Sequence, residues 1–501
     1  MMNQCKKVIL VLCFIHALVC PCLAQQILAE GVVTSSINDQ KSQQLALGGV
    51  GVSNGKDVVI TDANGQFKIS LSRNEFLFVI LPSGYNVPVD QFNIPKFYFT
   101  YKELSSGTKA HFMLQPSNQG ITFKVAMLGD LQMRIQEEIN YANRLLTPEL
   151  FIRNDIDLAI MLGDIADDSL NILAGTRQIT KHFPMPAYGV FGNHDRDLGK
   201  NFTQSYKAVF GPDYYAFNRG KVHFIVVNNI LPTEDGDYEG VISKRQLAFI
   251  KNDLEHTPED YLIVFCQHIP IHTLENREEL FELLENRRRV LAVSGHRHIL
   301  EQEFVPFGTS QELHEVVAGA VCGLWWDGER DWKGIPVSVM GFGAPKGYYV
   351  FTFEDDQYSM RYKALELPVD KQINIWTWYP DRGDIANQKP KGFQGNEILA
   401  NVFAGSERTQ VSMSIDGGEW VAMKKTAIPD PYVARIIESE KLGIYPTQNQ
   451  IRSGLKTENS KHIWLGYYPN DLKEGSHRVE VVAQDEYGLD AYEVSFFMIG
   501  N

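Results

Sequence analysis

Cysteine is scarce in this sequence. The 501-residue chain has six, and four of them, Cys5, Cys13, Cys20 and Cys22, fall within the opening apolar segment. Beyond it only Cys266 and Cys322 remain, which excludes a disulfide framework. A bridge between those two is one reading; Cys266 ends a strongly apolar run and is more simply a buried thiol. Basic blocks are missing too. The net charge is −14 and the Lys and Arg residues are dispersed, which argues against a nucleic-acid surface. After the opening segment no apolar run is long enough to cross a bilayer. There is no fixed-period repeat, no low-complexity tract and no H-E-x-x-H motif, so a solenoid, a disordered chain and a zincin-type protease or amidase have no support.

The opening segment reads as an export signal. Lys6 and Lys7 precede the apolar run VILVLCFIHALVC, and Cys22-Leu23-Ala24 fits a cleavage site before Gln25. An uncleaved anchor helix is the alternative, and the run is short for that role. The expectation is a signal peptide over 1–24 and a mature, exported chain, periplasmic or extracellular, with no transmembrane segment.

The rest of the chain changes grammar twice. Residues 25–116 alternate apolar and polar positions around Asn54-Gly55 and Asn64-Gly65, two hairpin-turn signals, and predict a small β-sandwich. This stretch resembles carboxypeptidase-regulatory-like or transthyretin-like modules. From 121 to 366 short apolar runs alternate with amphipathic stretches such as QEEINYANRLLTPELF, which predicts α/β structure with buried sheets covered by helices. From 367 to 501 the β alternation returns, so two β-rich modules flank an α/β centre.

Five of the central apolar runs end in residues that ligate metals: VAMLG at Asp130, AIMLG at Asp164, GVFG at Asn193-His194-Asp195, IVFC at Gln267-His268, and LAVSG at His296-Arg297-His298. Ligands of α/β sheets bind beyond the carboxyl ends of strands, so these loops are expected to converge. One Gly-Asp after a strand is ordinary turn chemistry; five such endings carrying Asp, Asn and His are not. Mixed carboxylate and imidazole ligands suit zinc, iron, manganese or nickel better than calcium. Two such cations clamp a tetrahedral anion and activate a water, the chemistry of phosphoester hydrolysis.

The ordered set GDLQ, GDIAD, GNHD, QHIP and GHRH resembles that of the calcineurin-like metallophosphoesterases, over roughly residues 123–300. The outer modules and GAPKGYYVFTF resemble an exported, three-domain, Bacteroidetes-type branch of that family. The resemblance implies a four-layer α/β/β/α sandwich flanked by two β-sandwich domains. It also implies two divalent metals (Mn, Fe, Zn, Ni or Mg). Asp130 and His298 would hold the first, with Gln132 where the family usually has histidine. Asp164 would bridge both, and Asn193, His268 and His296 would complete the second. His194 would protonate the leaving oxygen and Asp167 would orient it. Gln132 is the departure. As an amide oxygen it is a harder, weaker ligand than imidazole and favours Mn, Mg or Fe(II) over zinc; alternatively it faces a water or the substrate.

Other residues are less telling. Asp195 reads as a turn former, and His272 and His182 as packed or solvated. Arg196 follows the GNHD turn and is a substrate-contact candidate. Trp325, Trp326 and Trp332, with Asp327 and Arg330, are either a stacking wall beside the metals, suited to a base, sugar or aromatic leaving group, or domain-interface packing. The expected function is hydrolysis of a small phosphomonoester or phosphodiester, a nucleotide or sugar phosphate among the candidates, by a metal-bridged hydroxide. The alternative is an exported glycan- or partner-binding protein whose metal domain is catalytically weak.

Overall fold

The computed structural model describes residues 26–37, 40–199, 201–328, 330–377, 395–441, 456 and 458–500. The expected signal peptide lies outside the described residues. Among these residues no helix is long and apolar enough to cross a membrane.

The N-terminal module has two small sheets. One orders Gln40–Ala46, Gln26–Ile37, Ala110–Pro116 and Tyr85–Asn86, with Gln66–Ser72 also paired to Gln26–Ile37; the other orders Val58–Ile60, Gly51–Ser53, Phe76–Ile80 and Tyr98–Thr100. Gln66–Ser72 shows why the chain adopts strands here: Phe67, Ile69 and Leu71 are buried and the residues between them are exposed. Asn54-Gly55 does close a hairpin, since Gly51–Ser53 pairs with Val58–Ile60. Asn64-Gly65 does not. The strands on either side of it belong to different sheets, because Asp62 Oδ1 accepts the N–H groups of Asn64 and Gln66 and turns the chain from one sheet into the other.

The central α/β domain has two mixed sheets packed face to face. The first orders Ala187–Gly189, Leu158–Met161, Thr122–Leu128, Gly347–Glu354 and Gln357–Ala364. The second orders Tyr215–Arg219, Val222–Val226, Leu262–Cys266, Val290–Ser294, Gln311–Ala318 and Leu300–Phe307. Leu158–Met161, Leu262–Cys266 and Val290–Ser294 are buried along their whole length, so continuous apolar runs are what these positions require. Aromatic rings fill the space between the sheets: Phe224 of the second lies 6.3 Å from Phe123 and 5.6 Å from Phe353 of the first. The first three strands of the first sheet run parallel, as do Val222–Val226, Leu262–Cys266, Val290–Ser294 and Gln311–Ala318 in the second. The ligand-bearing carboxyl ends of both parallel sets meet at one end of the domain, where His268 Nδ1 donates to Leu162 O at 2.8 Å.

The C-terminal module again has two sheets, one ordering Ile373–Thr377, Glu397–Val402, Ser460–Tyr467 and Lys424–Ile428, the other Val421–Ala422, Gln410–Ile415, Gly475–Gln484 and Asp490–Ile499. It packs along Leu300–Phe307 of the central domain. Two buried histidines line this seam. His314 stacks on Phe304 at 4.7 Å and lies tilted against Tyr487 at 4.2 Å, and its nitrogens meet Gln302 Oε1 at 3.0 Å and the Tyr358 hydroxyl at 2.5 Å. His462 donates from Nδ1 to Asn401 Oδ1 at 2.7 Å, and Asn401 donates to Phe342 O. Burial pushes both imidazoles down to about 3. These values lie below the ordinary 6.5, so the neutral rings contribute stability that is whole above about pH 6.5 and is lost as pH falls toward 3. Each histidine accounts for up to about 1.4 kcal/mol per pH unit in that window. The urea midpoint should therefore fall between about pH 7 and about pH 4.5, and fall less in His314→Phe, which keeps a ring and removes the titrating nitrogen. Equal pH dependence in both proteins would contradict a buried neutral His314.

Candidate metal centre

Each expected ligand sits one or a few residues beyond a buried strand. Asp130 follows Thr122–Leu128, Asp164 follows Leu158–Met161, Asn193 follows Ala187–Gly189, His268 follows Leu262–Cys266, and His296 with His298 follows Val290–Ser294. The structure brings them together. Asp164, His268 and His296 each offer a ligand atom within 4.8 Å of the others. Asn193 Oδ1 lies 3.0 Å from His268 Nε2 and 2.9 Å from His296 Nδ1, and His298 Nε2 is 3.4 Å from Asp130 Oδ1. Within each of these two groups the donor atoms are close enough together to share a cation with bonds of about 2.1 Å.

The glycines before these ligands are required by closeness. A Cβ on Gly192 would stand 2.0 Å from the Asp164 nitrogen, and one on Gly295 would stand 2.5 Å from Asp130 Oδ2. The loops interlock so tightly that only backbone fits between them. Their conformations are strained as well. Ten non-glycine residues among those described have positive φ, and five of them are here: Gln132, Asp164, Asp168, His296 and His298. Each such residue costs about 1–3 kcal/mol and persists only where the surroundings over-determine it, so half of this strain is concentrated at one site.

The hydrogen bonds behind the imidazoles orient them. His268 donates from Nδ1 to Leu162 O and His298 from Nδ1 to Gly323 O, each at 2.8 Å, which leaves both Nε2 lone pairs facing inward. The charges act on one another strongly. Burial opposes ionisation of Asp164, but His268 holds the carboxyl well below the usual range. Burial likewise opposes a charge on His268, but Asp164 carries it up to about 9. Burial and His268 together push His296 down to about 4, with their facing nitrogens 3.3 Å apart. Gln132 adds an amide oxygen that is buried and has no hydrogen-bond partner in the described structure. Carboxylates, inward-facing imidazole nitrogens and a bare amide oxygen form a donor set that fits divalent cations.

His194 stands at the edge of this set. Its backbone N–H donates to Asp164 Oδ1 at 2.8 Å, and its Nε2 is 4.0 Å from Asp164 Oδ2. Its Nδ1 faces two carboxylates: Asp167 Oδ1 at 3.3 Å, as expected, and Asp168 Oδ2 at 3.1 Å. Asp168 went unread in the sequence, where the doubled aspartate of IADD was its only signal. Asp167 is itself anchored, by Gln132 Nε2 at 3.2 Å and by Arg134 Nε at 3.3 Å; Arg134 in turn pairs with Glu138 and Asp327. Gln132 thus orients Asp167 while its oxygen stays bare. Asp195 is the turn former expected, accepting from the N–H groups of Ile165, Ala166 and Gly192; burial and the nearby Asp164 raise it to about 7.

Two of the three residues expected to touch substrate turn away from it. Trp326 is 4% exposed, donates to Leu131 O at 2.8 Å and lies beneath the Lys346 ammonium; it packs the loop and lines no wall. Arg196 spends its guanidinium on Asn193 O, at 2.5 Å, and on the ring of Tyr238, so it braces the ligand loop against a neighbouring hairpin. Trp325 is where the wall reading needs it, half-buried and stacked on His298 at 5.1 Å. Trp332 stands out in solvent at 89% exposure. His272 lies outside this donor set; its Nδ1 is 2.6 Å from Glu315 Oε2. Cys266 and Cys322 are free, buried thiols. The interlocking of the loops makes one substitution decisive. Gly192→Ala should abolish the rise in melting temperature that added Mn2+ gives the wild type, read by differential scanning fluorimetry; an undiminished rise would mean that Asp164 is not held against this turn.

Three family models match the chain. A family model described as calcineurin-like phosphoesterase matches residues 123–300. A second, described as the N terminal of calcineurin-like phosphoesterase, matches residues 36–117, and a third, described as its C terminal, matches residues 315–490. No curated protein sequence matches the chain. Among solved structures, a purple acid phosphatase from yellow lupin (Lupinus luteus) seeds aligns with 68% of this chain and 67% of its own, at 14% identity and a TM-score of 0.37. Vps29 from Chaetomium thermophilum aligns with 49% of this chain and 100% of its own, at 10% identity and a TM-score of 0.22. With three models of one family matched in chain order over most of the sequence, this chain belongs to the calcineurin-like phosphoesterase family and carries that family's N-terminal and C-terminal modules.

Proposed function

We propose that this protein is an exported hydrolase of small phosphomonoesters or phosphodiesters that works with two divalent cations. The observation that carries the reading is the convergence of seven ligand-type side chains, Asp164 at their centre, with a histidine beside them whose outer nitrogen faces two carboxylates. Asp130, Gln132, Asp164 and His298 would hold one cation; Asp164, Asn193, His268 and His296 would hold the other. When bound, the cations supply an activated water as nucleophile and neutralise charge on the phosphoryl oxygens.

The rest of the chemistry belongs to the chain. Asp164 Oδ1 accepts the His194 N–H, so the same residue that would bridge the cations also sets the height of His194. Asp167 and Asp168 face Nδ1 of His194 at 3.3 and 3.1 Å, and Nε2 is turned toward the centre, 4.0 Å from Asp164 Oδ2. A proton on Nε2 passes to the leaving oxygen as the phosphorus–oxygen bond breaks. Trp325, over His298, offers a flat apolar surface to whatever group that oxygen carries. Export rests on the leader pattern of residues 1–24.

The rival reading, a glycan- or partner-binding protein with a weak metal domain, has one observation in its favour. Tyr492, Val494, Phe496 and Met498 form an exposed apolar row on the edge strand Asp490–Ile499. Turnover separates the two. The purified protein loaded with Mn2+, Zn2+, Fe2+ or Ni2+ should cleave aryl phosphate mono- or diesters, and chelation should abolish the activity. Asp164→Asn should lose a cation and nearly all turnover, and His194→Ala should lower kcat by about 10²–10⁴-fold with the metal content intact. A protein that binds no metal and cleaves neither ester class, while still binding a ligand through its outer modules, would overturn the hydrolase reading.

A further inference from the structure

The loop that carries His296 and His298 is tied to something outside the catalytic domain. Between those two histidines stands Arg297, whose guanidinium pairs with Glu301 Oε2 at 2.5 Å. Glu301 is the second residue of Leu300–Phe307 and its side chain is 0% exposed. Its other oxygen pairs at 2.5 Å with Lys461 Nζ, on the strand Ser460–Tyr467 of the C-terminal module, and Lys461 also reaches Glu303 at 2.6 Å. A carboxylate withdrawn this far from water has to be neutralised by its neighbours. Here one neutralising cation comes from the metal loop and the other from a different module.

We propose that Glu301 and Lys461 are positioning residues of the metal centre, so that the C-terminal module sets the posture of the loop bearing His296 and His298. The inference rests on the metal-site reading above. The loop cannot hold its shape unaided. His296 and His298 both have positive φ, of 73° and 50°, and Arg297 N donates to Gly295 O at 2.9 Å in the tight turn between them. Asp130 restrains the loop through the His296 N–H, and Gly341 N donates to His298 O. The middle residue is restrained through its side chain, by Glu301. Without Lys461 the buried carboxylate of Glu301 keeps one cationic partner only; water enters in place of the other, and its grip on Arg297 loosens. The parallel case is Glu315, also fully buried, which fixes the loop after His268 by accepting from the N–H groups of Ile271 and His272. Glu315 pairs in register with Glu303 on the adjacent strand, so both loops that bring histidines to the centre are anchored on one patch of carboxylates.

The competing explanation is that Lys461 merely glues two modules together. Arg408 provides the control. It lies on the same seam, 3.7 Å over the Phe304 ring and paired with Glu312, and has no contact with the metal loop. Full-length protein would be titrated with Mn2+ by calorimetry, with the melting temperature of the metal-free protein measured alongside. Lys461→Met should weaken Mn2+ binding about tenfold, as loss of an outer support does at metal sites. Lys461→Arg should restore it. Arg408→Met should lower the melting temperature and leave the affinity unchanged. Glu301→Gln, which keeps the volume and removes the charge, should weaken binding like Lys461→Met and serves if that variant fails to fold. Wild-type affinity in Lys461→Met or Glu301→Gln, or equal weakening in Arg408→Met, would overturn the proposal while leaving the metal centre in place. A wild type that binds no Mn2+ would overturn the metal-site reading itself, and this inference with it.

Discussion

The buried carboxylate of Asp164 accepts the His194 N–H, lies 3.2 Å from His268 Nε2, and sits where a single methyl group on Gly192 would collide with it. Three loops from two sheets therefore meet on one side chain. A charge in that position is intolerable unless cationic groups surround it, and the surrounding groups must come close enough that glycine is the residue that fits between. The left-handed backbone at Asp164, Gln132, His296 and His298 follows from the same crowding. These loops can be held so because the strands behind them are rigid and wholly buried, and such strands spend no flexibility of their own on the site.

The flanking modules take part in that rigidity differently. The N-terminal module shares the catalytic domain's core: Phe97 lies 4.7 Å from Tyr215 and 6.3 Å from Tyr188, Asn218 N donates to Leu81 O, and Tyr214 donates its hydroxyl to Gly55 O. The C-terminal module keeps a hydrophobic core of its own and meets the central domain across a seam rich in polar and ionic contacts. The buried neutral histidines of this seam, His314 and His462, and its Lys461–Glu301 pair are groups whose energy depends on protonation and on close geometry. A seam of that kind responds to its surroundings more than an oily one does, and this one ends beside the metal loop.

Function was more legible in the sequence than detail. Each ligand follows a continuous apolar run, and a run of that kind is readable because a strand buried on both faces tolerates no polar residue. What the residues beyond the ligands do was harder to read. Trp326 and Trp325 are neighbours in the chain, yet one caps the core and the other lies over His298, since the local turn sends successive side chains in different directions. Arg196 looked free because its partners, Asn193 O and the Tyr238 ring, belong to a backbone turn and to a hairpin more than forty residues on. Asp168 went unread because a doubled aspartate in a loop has no signal of its own; its positive φ is what aims it at His194. Asn64-Gly65 is a turn in either reading, but which strands a turn joins depends on where those strands find partners.

By itself the sequence determined the β–α/β–β order, the strand ends that carry metal ligands, and the place of Gln132 as the departure from the usual histidine. Those properties are local: they depend on residue type, periodicity and the residue that follows a run. The tertiary structure decided which carboxylates hold His194, that Gln132 steadies Asp167 while its oxygen stays bare, and that the loop of His296 and His298 is braced through Glu301 by Lys461, some 160 residues away in the chain. Such relations join residues remote in sequence, and their strength comes from burial and distances of about 3 Å, neither of which exists until the sheets have packed.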